Sequence, residues 1–373
     1  MSLTTHPRQM QCLLARLIPL VLAVVAWPAV SAAPARAAVT FHDRPVAVGL
    51  RQPVAFTFAP NGRIFYVEKT TGEVHLYNPA SDQDRLFVTV PGVDAQGERG
   101  TLGIALHPGY PTQPFVYVYA TRLVSGVLQN QILRYTAAAG VGTDPRTIFS
   151  TPASASAYHN GGRIEFGPDG MLYAVVGDGH GAANAQDLTN PRGKMLRMTP
   201  RGRRPADDPI RNSRIFEYGI RNSFGFDFDP VTGDLWETEN GPSCNDEVNY
   251  MPVGGRNYGW GRRQDCGSLG APRDTNNSGP RPRILPKMWF VDTIGITGMT
   301  FCARCGLTGS NGDLFFGDVN FGQIRRVPLS RGRDSLAGVG RVVFDTGSVL
   351  SVESGPDGSI YYSDFSGIYR LRN

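Results

Sequence analysis

The run Tyr158-His159-Asn160-Gly161-Gly162-Arg163-Ile164-Glu165-Phe166-Gly167-Pro168-Asp169-Gly170-Met171-Leu172-Tyr173-Ala174-Val175-Val176-Gly177-Asp178 decides how the chain is read. Its second half has the pattern of a β-hairpin. Ile164 and Phe166 alternate with non-aliphatic neighbours, Pro168-Asp169-Gly170 turns the chain, and Leu172 to Val176 runs back apolar. Gly170 supplies the positive φ that a tight hairpin turn demands. Its first half sets a histidine beside a glycine pair, where backbone can come close to a ligand. The hairpin recurs along the chain and the histidine entry does not.

Working outward, hairpins of the same kind begin near residues 56, 104, 164, 226, 299 and 352. Phe56 to Val67 turns at Asn61-Gly62, and Ile104 to Tyr119 has a longer turn. Phe226 to Trp236 turns at Thr232-Gly233, Met299 to Asp318 at Gly312-Asp313, and Val352 to Tyr362 at Asp357-Gly358. A spacing of roughly 50 to 70 residues suits a four-stranded sheet with its loops, as in propeller blades. A hairpin alone buries only part of its sheet, whereas sheets arranged radially bury both faces. The expectation is all-β: a six-bladed β-propeller over 38–373, closed by pairing of Val46–Leu50 with Ile368–Leu371. Two β-sandwiches are the alternative.

Residues 1–37 read as a signal peptide. Arg8 and Arg16 lead an apolar run from Leu17 to Val30, and Ala35-Arg36-Ala37 fits a small-x-small cleavage site. The run is short for a membrane span of about 20 residues. A secreted or periplasmic destination follows. Losing Arg8, Arg16 and Arg36 would lower the formal net charge from +5. The remaining cations are arginines except for Lys69, Lys194 and Lys287, with no dense basic block, so nucleic-acid binding has no support.

The loops between hairpins carry the candidate chemistry. His159 opens the third hairpin and is placed to act as a general base. Asp178, at the far end of that hairpin, is placed to return and orient it. His107, before Pro108, reads as a turn residue, and His42, His75 and His180 have less supportive contexts. Arg221 and Asn222 open the fourth hairpin with a guanidinium fork and an amide, suited to a carboxylate- or carbonyl-bearing ligand or to pairing a blade carboxylate. Glu239-Asn240-Gly241-Pro242-Ser243-Cys244-Asn245-Asp246-Glu247 follows. Its hard oxygen donors suit Ca²⁺. Cys244 and Cys266 flank this loop, and Cys302 and Cys305 form a close pair. Disulfides fit an exported protein, and a Cys₄ zinc site is the alternative.

Five ordered motifs carry a resemblance: Gly97 to Pro108, His159 to Arg163, Gly219 to Gly225, Asn240-Gly241-Pro242 with Asp246-Glu247, and Gly255 to Trp260. The chain resembles the soluble quinoprotein sugar dehydrogenases, the glucose/sorbosone dehydrogenase family. The resemblance implies a six-bladed propeller that binds pyrroloquinoline quinone (PQQ) and Ca²⁺ at its mouth and oxidises a sugar substrate at C1. It implies His159 as the base, supported by Asp178, with Arg221 and Asn222 at the quinone. The Gly241 and Pro242 carbonyls would hold one Ca²⁺, and Asp246, Glu247 and the Tyr258 backbone a second. An external electron acceptor is also implied. Departures accompany it. Glu98 stands at a glutamine position, Asn320 at a lysine position, and Gly347 to Val352 lacks the arginines found in relatives. Non-catalytic propellers that bind a carbohydrate or a protein, and calcium-dependent lactonases, are the alternative readings.

Overall fold

A computed structural model describes residues 41–262, 266 and 272–373. The expected signal peptide, 1–37, lies outside these residues. Six four-stranded sheets follow one another along the chain. Blade 1 comprises Ala55–Phe58, Ile64–Val67, Glu73–Asn78 and Gln83–Thr89; blade 2 comprises Thr101–Leu106, Phe115–Val124, Val127–Ala138 and Val141–Pro152. Blade 3 comprises Ile164–Phe166, Leu172–Val176, Lys194–Met198 and Ile215–Tyr218. Blade 4 comprises Ser223–Phe228, Leu235–Glu239, Asp246–Met251 and Met288–Phe290. Blade 5 comprises Ile296–Phe301, Leu314–Asp318, Gln323–Val327 and Arg341–Asp345. Blade 6 takes Ser351–Ser354, Ile360–Ser363 and Gly367–Arg372 from the end of the chain and His42–Val48 from near its start. The fold is a six-bladed β-propeller, and the sandwich alternative is set aside.

The alternation read in the sequence becomes packing between blades. In Phe115–Val124, Val116, Val118 and Ala120 face blade 1, and Tyr117 and Tyr119 face blade 3. In blade 4, Trp236 joins the cluster shared with blade 5 and Leu235 the cluster shared with blade 3. Tyr362 and Tyr361 divide likewise between blades 5 and 1. Successive side chains of a strand point to opposite faces, so every sheet is apolar on both sides. Burying one such aliphatic side chain contributes about 1.5–3 kcal/mol.

Ring closure lies slightly to the N-terminal side of its expected place. The closing strand is His42–Val48, with His42 opposite Arg372 and Val48 opposite Gly367. Gly49 turns to φ +79° and ends the extended run, leaving Leu50 one backbone bond to the Ser366 carbonyl. Gly170 has φ +73° at its hairpin turn, as expected.

Two kinds of loop meet at one end of the ring: those entering each innermost strand and those joining the second strand to the third. Glu98, His159, Arg221 and Leu350 stand in the first kind; Lys69, Asp178, Gly241 and Asn320 stand in the second. The tight hairpin turns lie at the other end. No helix of the described residues is long and apolar enough to cross a membrane.

Candidate active site

His159 sits in the entry loop of blade 3 with φ +59° and is 6% exposed. Its Nδ1 lies 2.7 Å from Asp178 Oδ1. An ionised carboxylate only accepts hydrogen bonds, so the Nδ1 proton points at Asp178 and Nε2 keeps its lone pair. No protein group among the described residues engages Nε2. The other Asp178 oxygen accepts from Trp260 Nε1 at 2.8 Å. The His180 backbone N–H donates to Asp178 Oδ1 at 2.7 Å, and the His180 ring stands edge-on to His159 at 4.8 Å.

The glycine pair beside His159 answers to packing between strands. A Cβ on Gly161 would sit 2.5 Å from the Val175 carbonyl, and one on Gly162 would sit 2.4 Å from Leu102 Cβ. Gly161 also lines the mouth cavity.

Glu98 reaches into the same cluster. Its Oε2 accepts from the His159 backbone N–H at 2.6 Å and from Asn222 Nδ2 at 3.1 Å. Glu98 therefore ties the histidine loop of blade 3 to the entry of blade 4. Arg221 lies over the Trp260 ring at 5.4 Å and donates to the Asn240 carbonyl at 2.8 Å. Burial lowers its pKa, against the pull of Asp178 and Glu239.

The mouth holds a cavity of about 370 Å³, within the usual range for a small-molecule site. Leu102, Phe224, Val319 and Leu350 supply apolar wall, and Lys69, Glu98, Arg163 and Asn240 supply polar groups. The Lys69 ammonium donates to the Ala95 carbonyl at 3.2 Å. Burial lowers its pKa, and the nearby Glu98 works the other way. Arg163 is engaged deeper in the channel, paired with Glu353 and donating to Ser351 Oγ at 3.1 Å. Asn320 is exposed at the rim, 3.4 Å from the Thr293 carbonyl. Arg325 packs over Phe290 near Asp318 and does not line the mouth.

Beside Arg221, the Glu239–Glu247 loop encloses a small polar space lined by Glu239, Gly241, Pro242, Asn245, Glu247 and Asn276. Glu237 Oε1, Glu239 Oε2, Asn245 Oδ1 and Asn249 Oδ1 are buried without partners. Burial pushes the Glu247 carboxyl up to about 8 and Glu237 to about 7. The Asp246 carboxylate is otherwise occupied. It accepts from the backbone N–H groups of Gly241, Ile294, Gly295 and Ile296 at 2.7–3.2 Å. Four such bonds use its lone pairs, so Asp246 clamps the loop. The buried Tyr258 donates from its hydroxyl to the Tyr250 carbonyl at 2.8 Å.

Cys244–Cys266 and Cys302–Cys305 are disulfides, which replaces the zinc alternative. The first ties Cys244, midway along the Gly241–Glu247 loop, to Cys266.

Sequence reasoning missed three residues here. Lys69 sat in an ordinary turn, His180 in an unremarkable glycine-rich stretch, and Trp260 in a quoted motif without a role. Trp260 belongs to the long segment between Met251 and Met288, which shows no strand period.

Residues 50–367 match the family model for glucose/sorbosone dehydrogenases. The aldose sugar dehydrogenase YliI of Escherichia coli is 27% identical over 84% of this chain and 86% of its own length. Quinoprotein glucose dehydrogenase B of Acinetobacter calcoaceticus is 30% identical, over 61% of this chain and 54% of that protein. The PQQ-bound aldose sugar dehydrogenase of Streptomyces coelicolor superposes with a TM-score of 0.75 at 25% identity, covering 90% of this chain and 98% of that one. A match over nearly every blade, together with the six-bladed ring, makes the chain a member of the glucose/sorbosone dehydrogenase family.

Proposed function

We propose that this chain is an exported aldose dehydrogenase. It would oxidise the C1 hydroxyl of aldose sugars by hydride transfer to PQQ with Ca²⁺ assistance and pass the electrons to an external acceptor. The observation that carries the reading is the His159–Asp178–Trp260 chain beside a mouth cavity, in a fold whose relatives are sugar dehydrogenases.

The residues present fit both groups. PQQ is a flat tricarboxylate, and the mouth cavity offers apolar wall and the Lys69 ammonium. Asn222 bonds the cavity residue Glu98, and Arg221 lines the adjoining space of the Glu239–Glu247 loop. Lys69 stands in for the lysine that relatives carry at the Asn320 position, from blade 1 rather than blade 5. The buried, unpartnered oxygens of Glu237, Glu239 and Asn245 fit a hard divalent cation. The Gly241 and Pro242 carbonyls would hold the catalytic Ca²⁺, and Glu247 with the Tyr258 backbone the second. Asp246 would serve by bracing their loop. When bound, PQQ supplies the two-electron oxidant and Ca²⁺ its Lewis acidity.

The chain's own part is proton handling and placement. His159 Nε2 takes the hydroxyl proton as hydride leaves C1. Asp178 accepts the Nδ1 hydrogen bond and stabilises the imidazolium that forms. Trp260 fixes the second Asp178 oxygen, and Glu98 fixes the His159 backbone. Arg221 places positive charge where negative charge grows.

Reconstitution tests this. PQQ with Ca²⁺, added to the exported protein, should give dye-linked oxidation of aldoses, and mass spectrometry should find a mature start near Ala38. A folded protein that binds PQQ and oxidises no aldose overturns the substrate assignment. One observation favours a second reading: Glu98 places a carboxylate in the mouth, where it repels an anionic cofactor. Failure to bind PQQ at all would therefore point to a non-catalytic carbohydrate- or protein-binding propeller.

A further inference from the structure

The turn between the second and third strands of blade 1 holds Glu68 at its start and Glu73 at its end, with His75 two residues on. One ligand atom from each lies within 4.8 Å of the others. His75 Nδ1 is 2.9 Å from Asp84 Oδ2, and that oxygen also accepts from the Tyr66 hydroxyl at 2.7 Å. The Tyr66 ring stacks on the imidazole at 4.9 Å and 13°. The Asp84 contact is close but lacks hydrogen-bond geometry, so the stacked Tyr66 ring is what orients the imidazole, with its other nitrogen toward the two glutamates. His75 Nε2 faces Glu73 Oε2 at 3.4 Å.

Glu68 is 6% exposed and held by the Arg51 backbone N–H and the Thr71 hydroxyl, each at 3.1 Å. Three carboxylates, from Glu68, Glu73 and Asp84, therefore surround one imidazole. Among the described residues no lysine or arginine forms an ion pair with any of them. Two lone pairs cannot face each other, so between Nε2 and Glu73 Oε2 stands either a proton, carried by a neutral or a charged imidazole, or a metal ion.

We propose that Glu68, Glu73 and His75 bind a zinc-type divalent ion, with Asp84 as the outer partner of the histidine. Zinc takes imidazole nitrogen and carboxylate oxygen at about 2.0–2.2 Å, which sets tetrahedral ligands about 3.4 Å apart. Glu73, whose side chain is 36% exposed, has the freedom to close that gap. A carboxylate on the far ring nitrogen is the usual support of a metal-bound histidine. Burial lowers the His75 pKa, but Asp84 and Glu73 outweigh it and raise the value overall, so a proton competes with the metal at acid pH. The site is separate from the Glu239–Glu247 loop and does not depend on the PQQ reading. It ties together the two ends of the turn that carries Lys69 to the mouth cavity.

Isothermal titration of Zn²⁺ into chelator-treated mature protein tests the site, with excess Ca²⁺ present to occupy oxygen-only sites. One equivalent should bind near neutral pH. His75→Ala and Glu73→Gln should each weaken that event at least tenfold, and Asp84→Asn by roughly 10- to 100-fold. Co²⁺ in place of zinc should give visible d–d bands that His75→Ala abolishes. Glu73→Gln alters a partly exposed side chain, and circular dichroism checks that it folds. Absence of zinc binding by the wild-type protein overturns the proposal and leaves a proton between His75 and Glu73. Zinc binding that all three variants retain overturns it equally.

Discussion

Trp260 donates its indole N–H to Asp178 at 2.8 Å, so the long insertion of blade 4 fixes a carboxylate of blade 3. Asp178 in turn meets His159 through its other oxygen. The indole also lies beneath the Arg221 guanidinium. One side chain therefore supports both the proposed base and the proposed cation.

Trp260→Phe keeps a ring under Arg221 and removes the donor to Asp178. Leaving a buried acceptor short of its partner costs about 1–3 kcal/mol. If that loss falls on the transition state, turnover drops roughly 5- to 150-fold with little change in KM. Steady-state kinetics of the PQQ-loaded variant measure it. Unchanged turnover would mean that Trp260 acts in packing alone.

His159→Ala should lower turnover by roughly 10²–10⁴-fold, the usual worth of a positioned base. PQQ binding, followed by its absorbance, should survive. Turnover equal to wild type would place the base elsewhere in the mouth.

Lys69→Met removes the mouth's lysine, and Asn320→Lys adds one at the rim. A hydrogen bond to a charged partner contributes about 1.5–3 kcal/mol. PQQ affinity should fall roughly 10- to 150-fold in the first variant and rise in the second. Titration of PQQ into calcium-loaded protein reads both without any assay of activity. Equal affinities across the series would remove Lys69 from the cofactor's cradle.

Glu217 carries a prediction about pH. It is fully buried, Oε2 accepts from the Arg256 backbone N–H at 2.5 Å, and Oε1 has no partner. Burial pushes its carboxyl up to about 9. Burial likewise pushes Glu353 up to about 7, although Arg163 opposes the shift. An unfolded glutamate titrates near 4.3, so between these limits the folded chain holds protons that the unfolded chain has lost. Stability should therefore decline as pH rises from about 4.3 toward 9. Glu217→Gln should match wild type near pH 4 and exceed it in Tm at pH 9. Thermal melts across that range check the slope, and parallel slopes for the two proteins would contradict it.

The blades were legible because a strand buried on both faces writes a short apolar run, as in Leu172 to Val176, and a tight turn writes Pro-Asp-Gly or Asn-Gly. Ile164 to Val176 shows both, and every other hairpin shows at least one. His159 and Asp178 were legible as a pair because a short hairpin must return its ends to each other. Trp260 and Lys69 were not. Their contacts arise only when loops from different blades meet around the closed ring, and no local period records that meeting. Asp246 read as an acidic residue in a turn, and the backbone N–H groups of Ile294, Gly295 and Ile296 that it accepts from lie far along the chain, where no local pattern records them. The glycine pair after His159 suggested room for a ligand; Gly161 lines the mouth cavity, and both glycines also let neighbouring strands come close.

The shared sixth blade makes assembly wait for the end of synthesis. The strand His42–Val48 is made first and finds its partner, Gly367–Arg372, last. Throughout that interval it is an open edge with nothing to pair with. Its sequence suits the wait: Asp43 and Arg44 carry charge and Pro45 lacks an N–H, all features that discourage a stray strand from adding on. The same three residues sit in the finished ring, where the register shifts between Pro45 and Ala47 and accommodates the missing donor. The first strand of the propeller is thus guarded against aggregation during a delay that the topology itself imposes.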